Sequence, residues 1–472
     1  MKHLIYILIA FLGFSCNSES TNKTPEEAEL PDIEIQVEGA RQGNAYLLVM
    51  YADQQFRVDS TVVGPNGTVA FRRTKSYTPG FMFLALPENQ YVQLLIDKDQ
   101  TFKMKTSVVD IVGNMEVEGS IDNQLLYENL RYEREFQPRA NAVKARLSGL
   151  PETDPEYAEL KAQQEALAAE RRAHLDKFFK DYPDSFFTKF KQAGQNPELQ
   201  DVRNPDGTTD VAGQLYLYRT QFWDNVDFSD ERLLYTPVIY NKLKRYIKEL
   251  TPQHPDSINY AASVLINKTP NYPEYFKFFT NWIALEYEPT KTTLMDAEAV
   301  FVYMVKNYFT KDLATWADTM EIYGLQRRAQ EMASSLIGRK GPDVTANDNY
   351  GNPKSISDLK SPYVIVYLYN PTCDHCIEQT PKLVQWHQQW KSQGVEVYAI
   401  AVDTDDNQWQ NFIANNRMNG FTNVFDSTNR AIYGKYYVDN TPEIYVLNPD
   451  RTIIGKNLKV HQIAEIIDRD RS

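Results

Sequence analysis

Tyr363-Val-Ile-Val-Tyr-Leu-Tyr369 runs straight into Asn370-Pro371-Thr372 and then into Cys373-Asp374-His375-Cys376. An uninterrupted apolar run of β-branched and aromatic residues reads as a strand, and the Asn-Pro-Thr break reads as a turn. The following stretch predicts a helix from Ile377 to Trp390, with Leu383, Val384 and Trp386 on its apolar side. Two cysteines spaced by two residues therefore open a helix at the end of a strand. There, backbone N–H groups have no intrahelical partner and the helix dipole is positive. A thiolate in that position is stabilised, so its pKa falls from about 8.5 towards roughly 3.5–7.5. The second cysteine lies one turn on, within reach of a disulfide with the first.

A chain of 472 residues accommodates two or three domains, and 42% hydrophobic content supplies sizeable cores. The formal net charge of −13 argues against nucleic acid as a partner, because a phosphate backbone needs a basic face. No apolar run reaches the 18 residues of a spanning helix. There are three cysteines: the pair, and Cys16 alone. The six histidines are scattered and no ligand spacing appears, so no metal is expected.

Working outward to the N-terminus, Lys2 and His3 precede an apolar run from Leu4 to Phe14, whose end overlaps the stretch Gly13-Phe14-Ser15-Cys16. This pattern is too short for a stable membrane anchor and resembles the cleavage box of bacterial lipoproteins. The resemblance implies a signal peptide over 1–16 with Cys16 as the lipidated residue. Gly13 departs from the larger aliphatic residue of that box, and an ordinary secretory signal is the competing reading. Residues 17–31 are polar and lack apolar periodicity, as a flexible tether would.

Residues 32–118 alternate apolar and polar, as in Ile33-Glu34-Ile35-Gln36-Val37, and are punctuated by turn signals such as Pro65-Asn66-Gly67. They predict an antiparallel β-sandwich. Asp59 and Ser60 read as turn or hydrogen-bonding residues rather than a catalytic dyad. From 119 to 337 helical spacing takes over, with helices around Leu160–Phe178, Val238–Leu250, Tyr275–Tyr287 and Val300–Tyr323. Within that α-helical domain, Tyr218 to Phe228 mixes aromatic and polar residues. A buried helix end, with Asp227 and Ser229 capping the next helix, explains it better than a ligand surface.

Residues 338–472 carry a fuller pattern. Gly341-Pro342-Asp343, a turn at Asn349-Tyr350-Gly351-Asn352, the Cys373/Cys376 pair, Pro381, a strand from Val395 to Val402, and Asn440-Thr441-Pro442-Glu443 follow in order. This resembles the TlpA/ResA-like thiol–disulfide oxidoreductases, relatives of thioredoxin. The resemblance implies a thioredoxin-like α/β domain with a cis peptide before Pro442 beside the cysteine pair, and Thr441 offering its backbone to a substrate. The chain as a whole is thus expected to be multidomain α+β. Two departures stand out. Tyr367 occupies the place of thioredoxin's buried Asp, so no general base is named; Glu378 and Glu443 are candidates that nothing in the sequence supports. His375 replaces the Pro before the second cysteine, which favours the thiolate and leaves the direction of electron flow open. Asn370 and Val366 replace the Thr and Pro of the peroxiredoxin motif, which argues against a peroxidase.

The mechanism implied has Cys373 attacking a substrate disulfide and Cys376 resolving the mixed disulfide, with Asp374, His375, Thr441 and Pro442 as neighbours. The expected protein is lipid-anchored at a membrane in the envelope of a Gram-negative bacterium, facing the periplasm or surface. It would reduce disulfide-containing protein substrates, draw electrons from a membrane thiol donor, and need no cofactor. The competing class is a protein- or glycan-binding lipoprotein whose thioredoxin-like domain is a redox-sensitive module.

Overall fold

The computed structural model describes residues 31–292, 294–425, 427, 434–438 and 440–472. The expected signal segment, Cys16 and the tether up to residue 30 lie outside the described residues. Backbone contacts divide the chain into two compact units, Met1–Lys191 and Gln192–Ser472. Among the described residues no helix is long and apolar enough to cross a membrane.

The first unit holds eight strands among its described residues: β1 (Asp32–Glu38), β2 (Asn44–Tyr51), β3 (Gln54–Val62), β4 (Thr68–Arg72), β5 (Gly80–Leu86), β6 (Gln90–Ile96), β7 (Thr101–Ser107) and β8 (Glu116–Glu118). They form two four-stranded sheets, ordered β4-β1-β7-β8 and β3-β2-β5-β6. Burial alternates along β1, β2 and β7, so the period-two pattern has one side facing a core. The expectation of purely antiparallel sheets needs correcting. β1 runs parallel to β7, from Asp32 opposite Thr101 to Glu38 opposite Ser107. Alternation fixes which face is buried and leaves the neighbour's direction open. Asp59 is structural, accepting from the Tyr77 hydroxyl at 2.5 Å and from the Ser60 N–H at 2.7 Å.

Three helices complete that unit: α1 (Ile121–Ser148), α2 (Pro155–Asp181) and α3 (Phe186–Ala193), the last straddling the division. The boundary thus falls inside the segment read from sequence as one helical domain. The reason is visible in α1. The Asn123 side chain exchanges hydrogen bonds with both backbone groups of Leu95 at 2.8 Å, and the Tyr127 hydroxyl donates to the Gln93 carbonyl at 2.8 Å. The helix is stitched to β6 by buried polar groups that helical periodicity does not reveal.

The second unit begins with α4 (Val211–Gln221), α5 (Pro237–Lys244), α6 (Pro255–Ile266), α7 (Pro273–Glu286), α8 (Ala297–Tyr308) and α9 (Thr319–Met332). Prolines start α5, α6 and α7, where a missing N–H costs nothing. The run read as one helix from Val300 to Tyr323 is two, because Asp318 and Glu321 form a capping box that starts α9 afresh. Phe222, Trp223 and Phe228 are buried as expected. The cap of the following short 3-10 turn is Asp230, which accepts from the Arg232 N–H, rather than Asp227.

The rest of the unit comprises β9 (Thr345–Asp348), β10 (Pro353–Ser355), β11 (Tyr363–Tyr369), α10 (Asp374–Trp390), β12 (Val395–Ala401), α11 (Asp406–Asn415), β13 (Thr422–Phe425), β14 (Glu443–Leu447), β15 (Ile453–Gly455) and α12 (Ile463–Arg471). One seven-stranded sheet has the order β10-β9-β13-β12-β11-β14-β15. β11, β12 and β13 are parallel, whereas β14 is antiparallel to β11. Every residue of β11 is buried, as a central strand covered on both faces requires. Tyr363, Ile365, Tyr367 and Tyr369 point into one core with Cys376 and Leu383. Val364, Val366 and Leu368 point into the other with Tyr398, Tyr436 and Tyr445.

Candidate active site at Cys373 and Cys376

β11 delivers the chain to an Asx-type turn. The Asn370 side-chain oxygen accepts from both the backbone N–H and the hydroxyl of Thr372 at 2.8 Å. This turn sets the start of α10 three residues earlier than the sequence suggested. Cys373 is the N-cap and Cys376 lies in the first turn. Both cysteines are free thiols.

The two thiols are unequal. Cys373 is partly exposed and Cys376 is fully buried. The Cys373 thiol lies 3.2 Å from the Thr441 carbonyl, to which it donates. Burial opposes ionisation of Cys373, but the Cys376 N–H, the Cys376 thiol, the Thr441 side chain and the His375 N–H favour it and hold the thiol below its usual range. Burial pushes the Cys376 thiol the other way, to about 12, and its hydrogen bond towards Cys373 adds to that rise. The Asn370 N–H, 3.4 Å from the Cys376 sulfur, works against the rise. The arrangement can present one nucleophilic thiolate to solvent and keep a protonated thiol in reserve behind it.

The structure brings the expected neighbours to different places. The Thr441–Pro442 bond is cis, and Thr441 touches Cys373 through its carbonyl. Asp374 and His375 have exposed side chains, and His375 acts on Cys373 through its backbone N–H. Glu378 is exposed and paired with Lys382 at 2.6 Å. Glu443 pairs in register with Leu368, which faces the core opposite Cys376. Directly opposed residues share a face, so the Glu443 carboxylate is turned away from the resolving thiol. Among the described residues no group of three or more His, Cys, Asp or Glu is placed to hold a metal ion.

Sequence reasoning missed the support beneath the pair. The Tyr367 hydroxyl and Thr380 Oγ1 are 2.7 Å apart, and Thr380 Oγ1 donates to the Cys376 carbonyl at 2.7 Å. Since the Thr380 proton is committed to that carbonyl, Tyr367 is the donor to Thr380. The signal was present: Thr380 lies one helical turn after Cys376, and Tyr367 sits two residues before the strand ends.

This is a thioredoxin-like domain. Residues 337–463 match the AhpC/TSA family, and the domain is TlpA/ResA-like at family level. Thiol-disulfide oxidoreductase ResA of Bacillus subtilis (strain 168) is 30% identical over 123 residues, covering 26% of this chain and 65% of that protein. The ResA of Bacillus thuringiensis (strain Al Hakam) is 26% identical over 127 residues, covering 26% of this chain and 72% of its own. A solved thioredoxin-like protein from Bacteroides caccae has 18% identity and a TM-score of 0.47, covering 58% of this chain and 99% of that one. Residues 32–126 match a domain of unknown function (DUF4369).

Proposed function

We propose that the protein is an exported, membrane-tethered oxidoreductase that reduces disulfides of substrate proteins through Cys373 and Cys376. The observation that carries this reading is the asymmetry of the pair: a partly exposed thiol held low, backed by a buried thiol pushed up to about 12. The Cys373 thiolate attacks one sulfur of the substrate disulfide. That S–S bond breaks, a mixed disulfide forms, and the substrate's leaving thiolate takes up a proton. Cys376 loses its proton and attacks the Cys373 sulfur, releasing the second substrate thiolate. Two electrons pass to the substrate, and the enzyme is left with a Cys373–Cys376 disulfide.

A second dithiol must then restore the pair, and a membrane thiol donor is the expected source. Lipidation at Cys16 would keep the enzyme on the periplasmic or outer face of a Gram-negative envelope, where substrate disulfides persist. Residues 338–472 carry the chemistry. Insulin reduction by wild type and by Cys373→Ala tests the reading. Turnover that disappears with the substitution is expected, and equal turnover by both proteins overturns it. Metabolic labelling with a fatty acid, lost in Cys16→Ala, tests the anchor.

A further inference from the structure

The helices of the second unit grip the chain on both sides of the Thr441 carbonyl. Upstream, Arg328 of α9 donates from Nε to the Tyr437 hydroxyl at 2.9 Å and from Nη1 to Glu288 at 2.9 Å. Its guanidinium also lies 5.8 Å from the Tyr437 ring centroid. Ser334 Oγ donates to the Lys435 carbonyl at 2.9 Å.

Downstream the grip is ionic and buried. Lys456 follows β15 directly and is 0% exposed. Its ammonium lies 3.2 Å from Glu298 Oε1 and 3.8 Å from Asp296 Oδ1, both at the start of α8. Asn457 donates to both Glu298 oxygens at 3.2 and 3.1 Å, and the Ile337 N–H donates to Asp296 Oδ2 at 3.0 Å. The Lys456 ammonium also sits 5.3 Å from the Tyr445 ring centroid. Tyr445 and Glu443 are alternate residues of β14 on one face, opposite Val366 and Leu368. Thr441, the acceptor of the Cys373 thiol, lies two residues before Glu443.

Buried charges of this kind are weak evidence for net stability, and fixing a geometry is a better-attested use. We propose that Arg328 and Lys456 are positioning residues through which the helices of the second unit set the Thr441 carbonyl against Cys373 and so tune the reactivity of its thiol. This rests on the redox role proposed for the pair and assigns that role's control to residues outside the thioredoxin-like segment or on the far side of its sheet. A merely structural clamp would alter unfolding and leave the ionisation of Cys373 where it was.

The test is the pH profile of Cys373 alkylation by iodoacetamide in the full chain, for wild type, Arg328→Gln and Lys456→Met. The triple variant Asp296→Asn, Glu298→Gln, Lys456→Met serves if Lys456→Met alone fails to fold, because it leaves no buried charge unpaired. Insulin turnover by wild type is measured alongside, so that failure of the redox reading is seen separately. The expected result is a displaced midpoint in the folded variants, by at least about half a pH unit, or about threefold in the ratio of thiolate to thiol at fixed pH. Wild-type midpoints in folded Arg328→Gln and in the folded Lys456 variant or its triple substitute overturn the proposal.

Discussion

The Tyr367 phenol and the Thr380 hydroxyl lie 2.7 Å apart in the core that holds Cys376, and Thr380 passes the chain of hydrogen bonds on to the Cys376 carbonyl. Thr380→Val keeps the shape and deletes the oxygen, leaving the Tyr367 hydroxyl buried without that acceptor. The expected loss is about 1–3 kcal/mol in urea unfolding. Thr380→Ser keeps the oxygen and should lose about 1 kcal/mol or less, for one methyl. Equal stability of the Val variant and wild type would remove any weight from this contact.

His375 favours the Cys373 thiolate through a backbone N–H. His375→Pro deletes that donor, and His375→Ala keeps it. Loss of thiolate stabilisation weakens the reduced form, so the Pro variant should have a reduction potential lower by tens of millivolts, roughly the spacing between enzymes of this class. The Ala variant should stay near wild type. Equilibration with glutathione reads both, and a large shift in Ala alone would move the effect to the imidazole.

Alkylation should be ordered in pH. Because Cys373 is held below its usual range, it should be modified first, with a rate that falls as pH drops through its pKa. Cys376, pushed up to about 12, should resist until strongly alkaline conditions. Peptide mass mapping after short iodoacetamide pulses reads the order. Modification of Cys376 first at neutral pH would contradict the assignment of attacking and resolving thiols.

Asp296 gives a pH signature in stability. Burial, the largest cause, pushes its carboxyl up to about 6 despite Lys456. A carboxyl raised in the folded state binds more protons folded than unfolded between its unfolded value near 4 and about 6. Its contribution is therefore fully present below the lower value and lost as pH rises through the upper one, at about 1.4 kcal/mol per pKa unit. Asp296→Asn should flatten that part of the stability profile of the second unit in denaturant titrations at pH 4.5 to 7.5. An unchanged slope would count against it.

Gly67 adopts φ +73°, and a Cβ there would stand 2.0 Å from the Val37 carbonyl oxygen. Gly67→Ala should destabilise the first unit by more than about 2 kcal/mol, from left-handed backbone plus a clash with main chain that cannot step aside. Thermal unfolding followed by circular dichroism measures it.

Much of this was legible in the chain itself. The central strand, the cysteine pair and the Thr-Pro element beside it follow from an apolar run, a spacing and a resemblance. What stayed hidden has a common physical source. The start of α10 at Asp374 depends on the Asn370 turn, the direction of β7 against β1 on a long-range pairing, and the attachment of α1 to β6 on Asn123. Each is decided by hydrogen bonds between residues distant in sequence or by one side chain's local geometry, and neither leaves a period. Glu443 shows the same point: the sequence left it open as a proton acceptor without support, whereas its register with Leu368 turns it to the other face.

Asp296 holds φ +59°, a left-handed bend that glycine or asparagine adopts more readily than most residues. The bend and the carboxylate at that corner are therefore separable requirements. Asparagine would preserve the corner while erasing its charge, and glycine would preserve the corner while erasing the side chain. A lineage free to drop the Lys456 pairing could drift to either with little backbone rearrangement, so retention of aspartate there would record selection for its charge rather than for its shape.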